Sequence, residues 1–278
     1  MELNLKHLIL IFLKKAIHFI LILSQKNKIL RRFMDIFVEE NSKIIRKIKI
    51  KNDLIFFYEV NNVTKYRNDT FFNKEPETLE WIDEFPKNCI FWDVGANVGL
   101  YSIYAGKTKN CKVTAIEPSV FNLELLAKNI YLNSLNKQIN ILPFGLSKKS
   151  LITNFHSTSI LNGGALSSLE TPTKRSLEQP RDQCDYKIPV LTLDLINSIF
   201  NIPNPKYLKI DVDGLEYEIL LGAKSILKNL KSLLIEVDKK DVKKVRMINT
   251  LLKKENFKLI KEGKELPNIS TINQIWGK

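Results

Sequence analysis

From Cys89 onward, short apolar runs alternate with longer stretches in which apolar residues recur every third or fourth position, the patterns of buried strands and amphipathic helices. Strands are expected at Phe91 to Asp93, Lys112 to Glu117, Ile139 to Phe144, Tyr207 to Asp211, Ser232 to Val237 and Phe257 to Lys261, with one more in the tail. Helices are expected from Val98, and over Ser119 to Asn133, Leu215 to Lys228 and Val242 to Lys254. This alternation predicts an α/β fold, a doubly wound Rossmann-like sheet with helices on both faces. The stretch from Ser147 to Lys187 lacks sustained periodicity and reads as an inserted loop, and loops this long are usually functional or disordered. Regular alternation resumes with Val190 to Ile196.

Upstream, Asp53 to Val60 reads as a strand of a small β appendage with no chemistry of its own. Leu8 to Leu23 is almost wholly apolar, but His7, Lys14, Lys15, His18 and Gln25 fall along one helical stripe. Its sixteen residues fall short of a bilayer span, which takes ~20. A helix lying in a membrane interface is expected, against packing on its own domain or on a second subunit. The lysines and the lack of a small-residue cleavage site argue against a signal peptide. The organisation expected is a basic amphipathic helical segment over 1–50, a β/linker appendage over 51–88, and a catalytic domain over 89–278 in which 147–187 shapes the acceptor pocket.

The chain has 278 residues and a formal charge of +13. Residues 1–50 hold eleven Lys/Arg against four Asp/Glu, and residues 224–264 hold thirteen against five, so the remainder is slightly acidic. A nucleic-acid enzyme more often sets cations beside its site, so no nucleic-acid partner is expected. A cytoplasmic setting is expected, with peripheral membrane contact through residues 1–32; the oligomeric state is left open. Cys89, Cys111 and Cys184 are odd in number and form no CxxC pair, which indicates neither a zinc site nor a disulfide framework. Cys89 and Cys111 open two strand-like runs and read as buried thiols in a reducing compartment.

The first strand ends in Asp93-Val94-Gly95-Ala96-Asn97-Val98-Gly99. Loops beyond the carboxyl ends of parallel strands collect nucleotide-like ligands. A dinucleotide fingerprint would place glycine where Asn97 stands, which argues against a nicotinamide dehydrogenase. Glu117 ends the next strand, twenty-four residues beyond Asp93, where a carboxylate can accept hydrogen bonds from both hydroxyls of a ribose. Together these residues point to an adenosine-type ligand without a pyrophosphate. Asp93 would suit the amino group of S-adenosylmethionine, and N–H groups near the helix start its carboxylate.

The set Asp93 to Ser102, Glu117-Pro118, Gly164 to Leu169, Leu193-Asp194 and Leu208 to Glu216 resembles the FkbM family of S-adenosylmethionine-dependent methyltransferases, in that family's order. The resemblance implies a seven-stranded class I methyltransferase sheet and methyl transfer to a hydroxyl, often on a sugar or polyketide. It implies cofactor contacts at Asp93, Gly95, Ala96, Asn97, Gly99 and Glu117. Asp213 departs from the pattern, which more often has glutamate. The acceptor expected is a small molecule or glycan, including a lipid-linked precursor, and the rival readings are an RNA methyltransferase and a cofactor-binding scaffold.

Methylating an alcohol removes its proton, so a placed carboxylate is useful. Asp211 closes a strand at the same sheet edge as Asp93 and is the expected proton acceptor or orienting group. Asp213 is the second catalytic candidate, although Asp213 and Glu216 have capping-box spacing ahead of a helix. No metal ligands are assigned; a divalent ion between Asp211 and Asp213 is the alternative. His156 is a rival base, Ser167 and Ser168 are candidate acceptor contacts, and Asp194 reads as a helix-entry cap, with a bond to a neighbouring loop as the alternative.

Overall fold

The computed structural model describes residues 2–41, 44–51, 53–170, 184–265 and 270–278. Two helices, α1 (Glu2–Lys26) and α2 (Lys28–Asn41), precede a hairpin of β1 (Ile45–Ile50) and β2 (Asp53–Tyr58), then α3 (Asn62–Asp69) and α4 (Pro76–Asp83). The main alternation is β3 (Ile90–Val94), α5 (Leu100–Lys109), β4 (Lys112–Ile116), α6 (Val120–Leu132) and β5 (Ile139–Leu142). Four strands follow, β6 (Gly145–Leu146), β7 (Leu151–Ser157), β8 (Ser168–Leu169) and β9 (Cys184–Leu191). The chain then runs through α7 (Leu193–Phe200), β10 (Tyr207–Ile210), α8 (Glu216–Leu221), α9 (Lys224–Asn229), β11 (Ser232–Asp238), α10 (Val242–Lys254), β12 (Lys258–Glu262) and β13 (Thr271–Gly277).

Seven strands form the main sheet in the order β12-β13-β11-β10-β3-β4-β5. All neighbouring pairs from β11 to β5 are parallel, and β13 is antiparallel to both its neighbours. β3 sits near the centre with helices on both faces, which is why its sequence is apolar without alternation. Successive side chains point oppositely, and Phe91 packs with Trp81 and Phe85 on one face, while Trp92 packs among Leu193, Ile219 and Ile226 on the other. Each such side chain contributes about 1.5–3 kcal/mol through burial.

Several expectations change. The segment over 1–50 is helical only to Asn41, and Ile45–Ile50 is a strand. The apolar helix is longer than the sixteen-residue run, so the length argument against crossing a bilayer fails: His7–Lys26 is long and apolar enough to do so. The β1–β2 hairpin docks on α6, where Asn133 brackets the Phe56 backbone at 2.9 and 2.7 Å and Asn129 accepts from Tyr58 N–H at 2.9 Å. These buried side-chain amides satisfy a strand edge as another strand would. The insertion is not an irregular loop, since β7, β8 and the first half of β9 lie within it and join β6 in a four-stranded sheet of order β6-β9-β7-β8; residues 171–183 lie outside the described residues. The helix expected over Leu215 to Lys228 is broken at Gly222, where a Cβ would collide with the Ser147 carbonyl oxygen and crowd Thr192.

Cys89 and Cys111 are also a correction. They form a disulfide, with Cα atoms 4.6 Å apart. The parallel pairing of Ile90 with Lys112 places the preceding residues side by side, which the spacing of cysteines along the chain does not reveal.

Candidate active site

The loop between β3 and α5 is held from inside. Gly95 has φ +78°, and a Cβ there would strike the Asp211 carbonyl oxygen, so only glycine lets the ends of β3 and β10 approach this closely. Asn97 adopts φ 51° without being glycine. Its backbone N–H donates to Glu117 Oε2 at 2.8 Å, its Nδ2 donates to the Gly164 carbonyl at 2.7 Å, and its own Oδ1 accepts from Val98 N–H at 2.9 Å. The Gly95 and Ala96 N–H groups both donate to the Ile116 carbonyl, and Gly99 N–H to that of Ala96. The loop amides from Gly95 to Gly99 expected to serve a ligand carboxylate are therefore engaged within the protein.

Glu117, expected to meet a ribose, is held by partners within the protein. It is buried, with Oε1 accepting from Ser119 N–H at 2.9 Å and from Asn122 Nδ2 at 3.3 Å. Burial raises its carboxyl above the ordinary range, against the lowering effect of these hydrogen bonds. In this arrangement Glu117 ties the glycine loop to the start of α6, and the 163–164 turn is pinned nearby by Asn122 Oδ1, which accepts from Gly163 N–H at 2.8 Å.

Asp93 also faces inward. Its Oδ2 accepts from Ser102 Oγ at 2.6 Å, and its Oδ1 lies 3.8 Å from Lys209 Nζ. Lys209 is 1% exposed, and its Nζ lies 2.7 Å from Asp211 Oδ2 and 5.2 Å from the centre of the Tyr101 ring. A protein ammonium thus stands where the amino group of a ligand was expected. Burial pushes the Lys209 ammonium down, but Asp211 and Asp93 outweigh it and hold it above its ordinary value. Burial raises Asp93, while at Asp211 it is overcome by Lys209 and Lys74, which bring that carboxyl below the ordinary 3.8. Asp211 is therefore an ionised hydrogen-bond acceptor with one oxygen committed to Lys209.

A polar cavity of about 450 Å³ opens beside it, lined by Gly95, Asn97, Thr158, Asp211, Asp213 and Glu236, among others. Arg67, Lys74 and Glu75 also line it, so α3 and the turn before α4, assigned no chemistry from sequence, contribute to the site. Lys74 Nζ lies 2.6 Å from Glu75 Oε1, and Glu75 Oε2 accepts from Tyr101 OH at 2.9 Å. A smaller, largely apolar cavity meets this one at Gly95 and is lined by Ile116, Phe144, Leu146, Ser167, Ser168 and Val212. The larger cavity is in the size range of small-molecule sites, and the smaller one adds an apolar recess of about 40 Å³ beside it.

Asp213 is a tether. With φ 59°, it accepts from Leu166 N–H at 2.6 Å through Oδ2 and so holds the insertion across the cavity. The expected capping box does not form: the helix starts after Leu215, and Glu216 reaches back to Gly214 N–H at 2.9 Å. Burial, aided by Asp213 and Asp211, raises Glu216 to about 7 against these bonds. Glu236, overlooked in the sequence, follows Ile235, the register partner of Ile210, and so stands beside Asp211 at the sheet edge. Burial, then Asp211 and Asp213, pushes its carboxyl well above the ordinary range.

His156 lies outside these cavities, on β7, with Nδ1 3.1 Å from Asp185 Oδ1 and Nε2 3.2 Å from the Glu170 carbonyl. Asp194 caps the neighbouring α9 through Ser225 and Ile226 N–H, while Thr192 caps α7. Among the described residues, no group of three or more His, Cys, Asp or Glu is arranged to hold a metal ion. The signal for Lys209 was present: a charged residue inside an apolar strand demands a buried partner. Glu75 carried no comparable mark.

A family model described as "Methyltransferase FkbM domain" matches residues 93–259. The hexuronic acid methyltransferase AglP of Haloferax volcanii is 26% identical over 170 residues, covering 59% of this chain and 64% of that protein, so the chain spans less than two thirds of that relative. Methyltransferase sdnD of Sordaria araneosa is 26% identical over 197 residues, covering 62% of this chain and 74% of its own. Among solved structures, a precorrin-6y C5,15-methyltransferase from Geobacter metallireducens aligns at 12% identity with a TM-score of 0.43, covering 73% of this chain and 86% of its own.

Proposed function

The chain belongs to the FkbM methyltransferase family, and from that premise we propose that it transfers a methyl group from S-adenosylmethionine to a hydroxyl oxygen of a sugar. The observation that carries this reading is Asp211: one carboxylate oxygen is fixed by Lys209 at 2.7 Å, and the residue lines the polar cavity beside Gly95.

When bound, S-adenosylmethionine supplies an electrophilic methyl group on a sulfonium. It would be held where the two cavities share Gly95, by Asn97, Ile116, Phe144 and Leu146 among the lining residues. Asp93, Ala96, Gly99 and Glu117 support that position from beneath by shaping the loop. Asp211, ionised through its pairing with Lys209, orients the acceptor hydroxyl by accepting its hydrogen bond and draws off its proton as the oxygen attacks. Alignment and water exclusion supply most of the remaining acceleration. Thr158, Ser159, Glu75 and Asn273 line the cavity with mixed donors and acceptors, which suits a polyol better than a flat aromatic acceptor. The relative described as a hexuronic acid methyltransferase supports a sugar acceptor.

The test is transfer of labelled methyl to a panel of glycosides, uronic acids and glycan precursors, with RNA as a comparison. Label in an alkali-stable methyl ether is the expected result. Label confined to alkali-labile esters or to RNA, in a preparation that binds the cofactor, would overturn the assignment.

A further inference from the structure

The N-terminal helix pair carries a surface that the cavity chemistry does not use. From Leu8 to Leu23 the large apolar side chains of α1 are exposed, Phe12 at 72%. His7, Lys14, Lys15, His18 and Gln25 gather on one narrow stripe at helical spacing. Asn27 then starts α2, its Oδ1 accepting from Ile29 N–H at 2.9 Å and Leu30 N–H at 3.1 Å. Ile29, Phe33 and Ile36 share one face of α2 and are exposed, Ile29 at 82%, and Lys28 and Arg32 rim the shallow groove that they line.

Folded monomers seldom leave an apolar surface of this extent in water. The charges decide what covers it. Lys26, Lys28, Arg31 and Arg32 cluster at the junction of the two helices, a concentration of cations that suits anionic headgroups. Crossing a bilayer would place Lys14 and Lys15 near the middle of the His7–Lys26 span, where an ammonium loses its hydration. Lying flat puts the polar stripe and the cationic cluster among headgroups and the apolar faces among acyl chains. We propose that α1 and α2 lie in the interface of an anionic lipid bilayer and hold the protein on it. The proposal does not depend on the methyltransferase reading.

The experiment is flotation of the full chain with phosphatidylcholine vesicles made with or without phosphatidylserine. Strong, salt-sensitive flotation with the anionic vesicles and weak flotation with the neutral ones are expected. Arg31→Gln with Arg32→Gln should lower binding to anionic vesicles roughly tenfold or more. Ile29→Ser with Phe33→Ser should lower it on both lipids while tryptophan fluorescence and the unfolding midpoint stay at the parent values. Equal flotation on both lipids, undiminished binding by the Ile29/Phe33 variant, or a stable dimer that excludes vesicles would overturn the proposal. An alkali-resistant protein whose N-terminal tag is protected inside vesicles would replace the interfacial arrangement with a spanning one and also overturn it.

Discussion

Replacing Lys209 by methionine tests whether the two strand-end carboxylates are held by one cation. Methionine keeps most of the volume and removes the charge, leaving Asp93, 1% exposed, and Asp211, 26% exposed, to face each other. At an effective dielectric of about 20, the Lys209 attraction is about 6 kcal/mol toward Asp211 and about 4 kcal/mol toward Asp93, offset by several kcal/mol of desolvation for each buried ion. Breaking such an arrangement from one side costs about 3–5 kcal/mol, a large part of the roughly 5–15 kcal/mol that a domain has. The deficit should depend on pH. Without Lys209, the folded pKa of Asp93 rises further above 3.8, so its stability contribution is full below that value and is lost as pH climbs through the raised folded value. Urea unfolding of Lys209→Met should therefore show its largest deficit near neutrality and a smaller one in acid. Adding Asp93→Asn should recover part of the loss. A deficit under about 1 kcal/mol, a deficit independent of pH, or additive losses in the double variant would refute the reasoning.

Asp211→Asn should lower turnover by about 10²–10³-fold with cofactor affinity unchanged by calorimetry; full turnover would remove Asp211 from the mechanism. Glu216, raised from 4.5 to about 7 by burial, contributes stability that is full below 4.5 and lost as pH rises through 7. Glu216→Gln keeps an acceptor for Gly214 N–H, so it should flatten the parent's decline across that window, a difference of up to about 3 kcal/mol in unfolding experiments run over a pH series. Reduction of the Cys89–Cys111 bond, with its sequence separation of 22, should cost about 3 kcal/mol by loop entropy. The double alanine variant should be insensitive to reductant. Asp213→Ala should loosen the insertion by releasing Leu166 N–H, seen as faster amide exchange around 159–166, and unchanged exchange there would contradict the tether.

The repeating strand–helix pattern, the glycine loop and the acids Asp93, Glu117 and Asp211 at strand ends were legible in the sequence, because burial on both faces and tight turns constrain neighbouring residues locally. What those acids face was not. Glu117 and Asp93 read as ligand groups because a strand-end carboxylate commonly meets a ligand, whereas here the partners, Asn97 N–H and Ser102, lie twenty and nine residues away. The Cys89–Cys111 bond, the place of Glu236 beside Asp211 and the bracketing of β2 by Asn129 and Asn133 all follow from strand register and docking, which couple residues distant in sequence. The insertion between Ser147 and Lys187 looked irregular because polar residues interrupt its strands, as at Thr153-Asn154 and Asp185-Tyr186-Lys187, and these positions are part exposed, so their apolar pattern is weak. Local periodicity by itself determined which segments are strands and helices; only the tertiary structure decided which charges meet, since a buried charge is set by whatever packs against it and that neighbour comes from elsewhere in the chain.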